Sequence, residues 1–156
     1  MNGDEPVTIR RMRMDDLEAI EAIDRESFPL PWPPGSYRYE LDFNPRARCW
    51  TAETCGRVIG ALVGWLIVDE YQVATLAVHP DERRRGAGKA LLETAIEAAE
   101  EEGAARFTLE VRASNSAAKA LYETFGFRIV GISPRRYADG EDAILMEKIL
   151  ARNSPV

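Results

Sequence analysis

The stretch Arg83-Arg84-Arg85-Gly86-Ala87-Gly88-Lys89 constrains this chain most, because it lies between a β-branched run and a long amphipathic pattern. Val73, Leu76 and Val78 read as a strand, and His79-Pro80-Asp81 breaks it. From Lys89 onward, Leu91, Leu92, Ala95, Ile96 and Ala99 recur with helical spacing, so the glycines fall at a helix N-terminus. The first backbone N–H groups there have no intrahelical acceptors and the dipole end is positive. Residues lacking a side chain also let an anion approach the main chain. The arginines add charge, so the pattern suits a phosphate, against the plainer alternative of a solvated basic cap. Neither nucleotide fingerprint fits: Gly86-x-Gly88 lacks the third glycine of a Rossmann turn, and no Gly-Lys-Ser/Thr is present.

With 156 residues, 46% of them hydrophobic, the chain predicts a single domain, 1–156, with a core large enough to fold unaided. No apolar run reaches membrane-spanning length, and Met1-Asn2-Gly3-Asp4-Glu5 is unlike a secretory signal, so a cytoplasmic protein without a membrane partner is expected. Cys49 and Cys55 form no C-x-x-C pair and no histidines cluster with them, which predicts reduced structural thiols and no metal site. The net charge of −6 argues against direct nucleic-acid binding and suits a cationic substrate, although acidity also simply aids solubility.

Along the chain, Val7 to Met12 alternates as a strand, and Asp15 with Glu18 suggests a capping box for a helix bearing Leu17, Ile20 and Ile23, fading near Phe28. Pro29 to Gly35 cannot continue that helix, and Ser36 is placed to cap a short one through Phe43. Trp50 to Glu53 and Val58 to Val68 read as strands around a Cys55-Gly56 turn, and Phe107 to Val111 as another. Asn115 or Ser116 caps a helix through Phe125, closed by Gly126, and Phe127 to Ile132 with Ala143 to Ile149 make a last hairpin. The ends, Met1 to Glu5 and Ala151 to Val156, are expected to fray. This order predicts an α/β fold with a sheet of mixed direction.

The spacing Arg83-x-x-Gly86-x-Gly88 resembles the acetyl-CoA pyrophosphate loop of the GNAT N-acetyltransferases, and the element order resembles theirs over a core of about residues 7–149. Within that family the chain is most similar to protein N-terminal acetyltransferases of the RimI type. The motifs that carry this are Leu109-Glu110-Val111-Arg112-Ala113-Ser114-Asn115, Ala120-Leu121-Tyr122-Glu123, Phe125-Gly126-Phe127, Phe28-Pro29 before Trp32, and Asp139-Gly140-Glu141-Asp142-Ala143. The resemblance implies a GNAT fold, a mixed seven-stranded sheet flanked by about four helices. It also implies acetyl-CoA as co-substrate, held by Arg83, Arg84, Arg85, Gly86, Ala87, Gly88 and Lys89, by the backbone of Leu76, Ala77 and Val78 where the fourth strand leaves the fifth, and by Asn115 and Tyr122.

Acetyl transfer from a thioester to an amine needs the amine deprotonated, the carbonyl oxygen stabilised and the departing thiolate protonated. Glu110 alternates against Phe107, Leu109 and Val111, so its carboxylate points to one side of a strand, where partial burial would raise its pKa toward a useful base. A glutamate on a solvated strand face fits the same pattern. The resemblance makes Glu110 the general base, acting through water, and Tyr122 the general acid. From the residues alone, Tyr122 reads equally as a core tyrosine with its hydroxyl at the edge. No acyl-enzyme is required, and direct attack in a ternary complex follows from the family mechanism.

Phe28, Trp32, Tyr37, Tyr39 and Tyr137, with Glu110, are candidates for gripping the acceptor, since loop aromatics supply contact area at little entropic cost, although half of these aromatics fit equally well as completing the core. His79, in a turn before Pro80, reads as a surface residue. Deprotonating a lysine costs about 3.5 kcal/mol more than deprotonating a peptide α-amine, which favours an N-terminal acceptor. The resemblance implies a protein N-terminus, that of a ribosomal protein beginning with alanine. A lysine, a polyamine or another small amine is the alternative acceptor, and a non-catalytic CoA-binding sensor the alternative of a different class.

Overall fold

In a computed structural model describing residues 5–150, seven strands hydrogen-bond in the order β1-β2-β3-β4-β5-β7-β6. The strands are β1 (Thr8–Arg11), β2 (Ala47–Thr54), β3 (Arg57–Ile67), β4 (Glu70–Val78), β5 (Arg106–Arg112), β6 (Arg128–Ser133) and β7 (Ala143–Ile149). Four helices complete the fold: α1 (Leu17–Ser27), α2 (Ser36–Phe43), α3 (Ala87–Glu101) and α4 (Ser116–Thr124). The sheet is mixed: β1 with β2, β2 with β3, β5 with β7 and β6 with β7 run antiparallel, while β4 with β5 runs parallel. The expected fraying of the ends falls, Glu5 apart, outside the described residues.

The chain forms two compact units, Met1–Trp65 with Ala74–Glu97, and Leu66–Val73 with Ala98–Val156. In the first, Leu17, Ile20 and Ile23 recur at helical spacing on α1 and are buried, as are Tyr37 on α2 and Ala61 and Val63 on β3. Leu91, Leu92 and Ala95 of α3 are also fully enclosed, and each such leucine contributes about 1.5–3 kcal/mol relative to exposure. In the second unit the alternation of Phe107, Leu109 and Val111 on β5 buries all three. Tyr71 stacks on Phe107 at 4.6 Å, Phe127 meets Phe107 edge-on at 5.7 Å, and Tyr122 lies 5.8 Å from Phe127.

Three local expectations are corrected. The start of α1 is organised by Asp16 and not by Asp15 with Glu18: a 3-10 turn, Met14–Asp16, precedes the helix, and the Asp16 carboxylate accepts the Arg13 N–H at 2.8 Å. Asp16 wins because it is buried and also receives the Arg10 guanidinium and the Thr51 hydroxyl, whereas Asp15 and Glu18 are exposed. At α2 the cap is Gly35, whose φ of +87° favours glycine, and Ser36 is already the first helical residue. β2 begins at Ala47, three residues before Trp50, because its ladder to β3 extends to Ala47 opposite Trp65. Among the described residues no helix is long and apolar enough to cross a membrane.

Candidate active site

In the first unit, β4 ends at Val78, and the His79 N–H donates to the Ile59 carbonyl at 2.8 Å. His79 Nδ1 then accepts the Asp81 N–H at 3.1 Å and caps the 3-10 turn Pro80–Glu82, while Nε2 lies 3.3 Å from Glu26. That accounts structurally for the sole histidine. The loop that follows is backbone-constrained: Arg84 has φ +72° and Gly86 φ +81°, both left-handed, a conformation uncommon for a residue with a side chain. The Ala90 N–H bonds the Gly86 carbonyl at 2.9 Å, so the N–H groups of Ala87, Gly88 and Lys89 precede the helical ladder of α3 and have no acceptor within it.

The three arginines are not equivalent. Arg84 is exposed, and so is Arg83, whose Nε donates to the Val78 carbonyl at 3.2 Å. Arg85, expected to meet phosphate with the others, turns inward: its side chain is 12% exposed, pairs with Glu82, and donates to the Glu5 carbonyl at 3.0 Å and to Thr54 Oγ1 at 3.3 Å. Hydrogen bonding from Arg85, against the opposing effect of burial, holds the Glu82 carboxyl below its ordinary value. The cation here that secures the loop is therefore Arg85, and the exposed cations are Arg83, Arg84 and Lys89. A Cβ built at Gly88 would meet only Val78 Cγ2, at 3.7 Å, and one at Gly86 nothing within 4 Å. The protein leaves room at both glycines, as a cradle for a bulky anion requires, and the residues present fit the diphosphate of acetyl-CoA.

In the second unit the parallel ladder between β4 and β5 covers Glu70–Gln72 against Arg106–Thr108 and goes no further. Beyond it on β5 is Glu110, paired in register with Leu145. Glu110 is only partly covered and lies at the margin of the open face. Its side chain is 37% exposed, and Arg136 Nε lies 3.4 Å from its carboxylate. The tetrad Phe107, Leu109 and Val111 with Phe127 takes the apolar side, and alternation leaves Glu110 on the open one. Tyr122 is buried on α4, and burial, reinforced by Tyr137, pushes its phenol up to about 12. Asn115 caps α4 through Oδ1, which accepts the Ala118 N–H at 3.1 Å.

Tyr137 lies in the β6–β7 loop on the Arg112 guanidinium, and its carbonyl accepts the Gly140 N–H at 2.9 Å in a tight turn. Arg112 donates to Asp139 at 2.8 Å and Glu141 at 2.9 Å, and Glu141 also receives the Ser114 N–H at 2.7 Å. One carboxylate thus ties the loop of Tyr137 to the entry of the helix that carries Asn115 and Tyr122.

The remaining aromatics belong to the first unit. Phe28 ends α1 and is half-buried, as is Trp32, while Tyr39 is exposed. Tyr37 is not a surface grip: it is 2% exposed, its hydroxyl donates to Asp24 Oδ1 at 2.9 Å, and its ring supports Trp32 at 4.8 Å. Burial and the Asp24 charge push its phenol well above the ordinary tyrosine range. Asp24, which also accepts the Trp32 N–H at 2.7 Å, and Glu40, which accepts the Trp65 indole N–H at 3.0 Å, are buried acids that sequence reasoning passed over. Both carry a legible signal: Asp24 lies four residues after Ile20 and Glu40 three after Tyr37, so each falls on the buried stripe of its helix. Among the described residues no three His, Cys, Asp or Glu side chains gather as a metal site. Cys49 is buried, and that burial pushes its thiol up to about 12.

In the first unit, a strand leading through a constrained basic loop to an open helix N-terminus suits the diphosphate of a co-substrate such as acetyl-CoA, as an acyl-transfer enzyme of the acetyl-CoA-using kind requires. The match of the acetyltransferase (GNAT) family to residues 17–127 runs through both units, and the chain belongs to that family as an N-acetyltransferase. It is 36% identical over 142 residues to the [ribosomal protein bS18]-alanine N-acetyltransferase of Escherichia coli (strain K12), covering 89% of this chain and 95% of that one. The crystal structure of the ribosomal-protein-S18-alanine N-acetyltransferase from Escherichia coli superposes with a TM-score of 0.88 at 33% identity, covering 96% of this chain and 97% of that one. Ard1 from Thermoplasma volcanium gives a TM-score of 0.86 at 26% identity, over 94% of this chain and 99% of its own. The family and the RimI-type similarity inferred from the motifs, and the mixed seven-stranded fold with four helices, stand on these comparisons.

Proposed function

We propose that this protein transfers acetyl from acetyl-CoA to the N-terminal α-amine of a cytoplasmic protein, a ribosomal protein beginning with alanine, by direct attack in a ternary complex. The observation that carries this reading is the similarity, over nine-tenths of the chain, to an enzyme named for acetylating the alanine of ribosomal protein bS18. The N–H groups of Ala87, Gly88 and Lys89, with Arg83 and Arg84, hold the diphosphate. The backbone of Leu76, Ala77 and Val78 receives the pantetheine arm, and Asn115 contacts it. Bound acetyl-CoA supplies the activated acetyl group.

Glu110 accepts the amine proton through a water, and its exposure leaves the carboxylate open to that water. Tyr122 donates a proton to the departing thiolate; a phenol pushed up to about 12 holds that proton throughout the neutral range. Phe28, Trp32 and Tyr137 face the acceptor. An α-amine is easier to deprotonate than a lysine by about 3.5 kcal/mol, which a single carboxylate base accommodates.

Mass-spectrometric rates for an Ala- or Ser-initiated peptide, and for its N-blocked version carrying an internal lysine, test the acceptor. The free α-amine is expected to be acetylated far faster. Equal or faster labelling of the blocked peptide would assign the enzyme to lysine or small amines instead.

A further inference from the structure

The first unit contains a pocket of 420 Å³ lined by Trp32, Pro33, Pro34, Tyr39, Glu40 and Trp65. Its walls are aromatic and its one acid is nearly enclosed, Glu40 being 8% exposed. Glu40 Oε2 is fixed by two neutral donors, the Trp65 indole at 3.0 Å and Asn44 Nδ2 at 2.7 Å. Neither hydrogen bond adds a positive charge, so an enclosed carboxylate beside three aromatic rings is complementary to a cation. The walls are also held before any ligand arrives. The Trp32 backbone is anchored to Asp24 at 2.7 Å, its ring rests on Tyr37 at 4.8 Å, and the Trp65 indole is pinned by Glu40. Preorganisation of this kind lowers the cost of ordering a guest.

From this geometry we infer that the pocket receives an arginine side chain of the acceptor polypeptide, downstream of its N-terminus; the inference rests on the peptide acceptor proposed above. The enclosed Glu40 carboxylate repels the phosphate groups of the co-substrate, so that end of it does not suit the pocket. Shape and hydration choose between the basic side chains. A guanidinium is flat, stacks on indole and phenol rings, and gives up water more readily than an ammonium, whereas proline and aromatic walls offer a lysine little in exchange for its hydration. The net charge of −6 draws basic segments toward the protein in the first place.

Acetylation kinetics of Ala-initiated peptides carrying one arginine at each of positions two to six, against the same peptides with citrulline, test the inference. Citrulline keeps the shape and removes the charge. At one position or more, citrulline is expected to raise peptide KM about tenfold with acetyl-CoA KM unchanged, and Glu40→Gln is expected to abolish that difference. The glutamine retains an oxygen for Trp65 and Asn44, so the variant should fold. Equal KM for arginine and citrulline at every position, or full discrimination in Glu40→Gln, would overturn the inference.

A binding experiment separates this from the acceptor assignment. Nα-acetyl-arginine amide, titrated into 15N-labelled protein, is expected to shift the Trp65 indole N–H resonance, identified by its loss in Trp65→Phe, while the citrulline analogue leaves it in place. No shift with arginine would eliminate the pocket as a guanidinium site. A clear shift in a protein that does not acetylate α-amines would remove the proposed acceptor and leave the guanidinium site standing.

Discussion

The Arg112 guanidinium carbon lies 4.1 Å from the ring centre of Tyr137. The same guanidinium is forked to Asp139 and Glu141, so the loop that presents Tyr137 is positioned by a residue on β5, two places after Glu110. Hydrogen bonding to Glu141 and Asp139 outweighs the effect of burial and raises the Arg112 pKa further above its ordinary range, so the charge is permanent. Arg112→Met keeps an unbranched stem and removes the fork. Peptide KM is expected to rise about three- to tenfold while acetyl-CoA KM stays within about twofold, because the loss is of acceptor positioning. Steady-state kinetics with each substrate varied decide it, and an equal rise in both constants would count against a positioning role.

Glu110 and Tyr122 separate by different signatures. Glu110→Gln is expected to lower kcat and flatten the rise of rate with pH while acetyl-CoA affinity, read by calorimetry, is nearly intact, since the amide keeps the shape and cannot accept the proton. Tyr122→Phe should fold and lose on the order of tenfold or more in kcat. As the phenol is held up to about 12 by burial, ionisation of Tyr122 should produce no fall in the wild-type rate below roughly pH 10. A wild-type pH profile in Glu110→Gln would reject that residue as base.

Asp16 sets an acid limit on stability. Burial alone would raise its carboxyl, but hydrogen bonds from Arg10, the Arg13 N–H and Thr51 prevail and hold it below the ordinary value. A carboxyl depressed in the folded state stabilises the protein above its unfolded pKa, about 3.9, and that contribution is lost as pH falls through the folded value. Asp16→Asn should therefore cost about 2–4 kcal/mol at pH 7, by loss of an enclosed ion pair, and show a shallower decline than wild type below about pH 4. Urea midpoints across pH 2–7 measure both, with the range set by the roughly 3.9 reference.

Elements were legible because their signals are local. Leu17, Ile20 and Ile23 announce α1, the prolines after Phe28 end it, and the alternation of Phe107, Leu109 and Val111 makes β5. What the sequence hid was the destination of polar side chains, which distant contacts decide. Arg85 looks like its neighbours, yet it turns toward Glu5, 80 positions away, and Thr54. Tyr37 looks like a candidate for gripping the acceptor until Asp24 accepts its hydroxyl. Alternation on β5 gave the side of the strand that Glu110 takes, but not how far it is covered or that Arg136 from the β6–β7 loop lies beside it.

The two glycines of the basic loop differ in whether stability can be separated from binding. Gly86 has φ +81°, so Gly86→Ala strains the backbone and is expected to cost about 1–2 kcal/mol of stability, which confounds any loss of binding. Gly88 carries no such demand. It lies in the first turn of α3, and an added Cβ makes only an ordinary 3.7 Å contact with Val78. On internal grounds alanine is the better residue there, and Gly88→Ala should leave stability unchanged or raise it by up to about 1 kcal/mol. If the open main chain at Gly88 exists for the diphosphate, the same methyl should weaken acetyl-CoA binding, about tenfold or more by calorimetry, in a protein whose urea midpoint has not fallen. Unchanged affinity in Gly88→Ala would sever the loop from co-substrate binding.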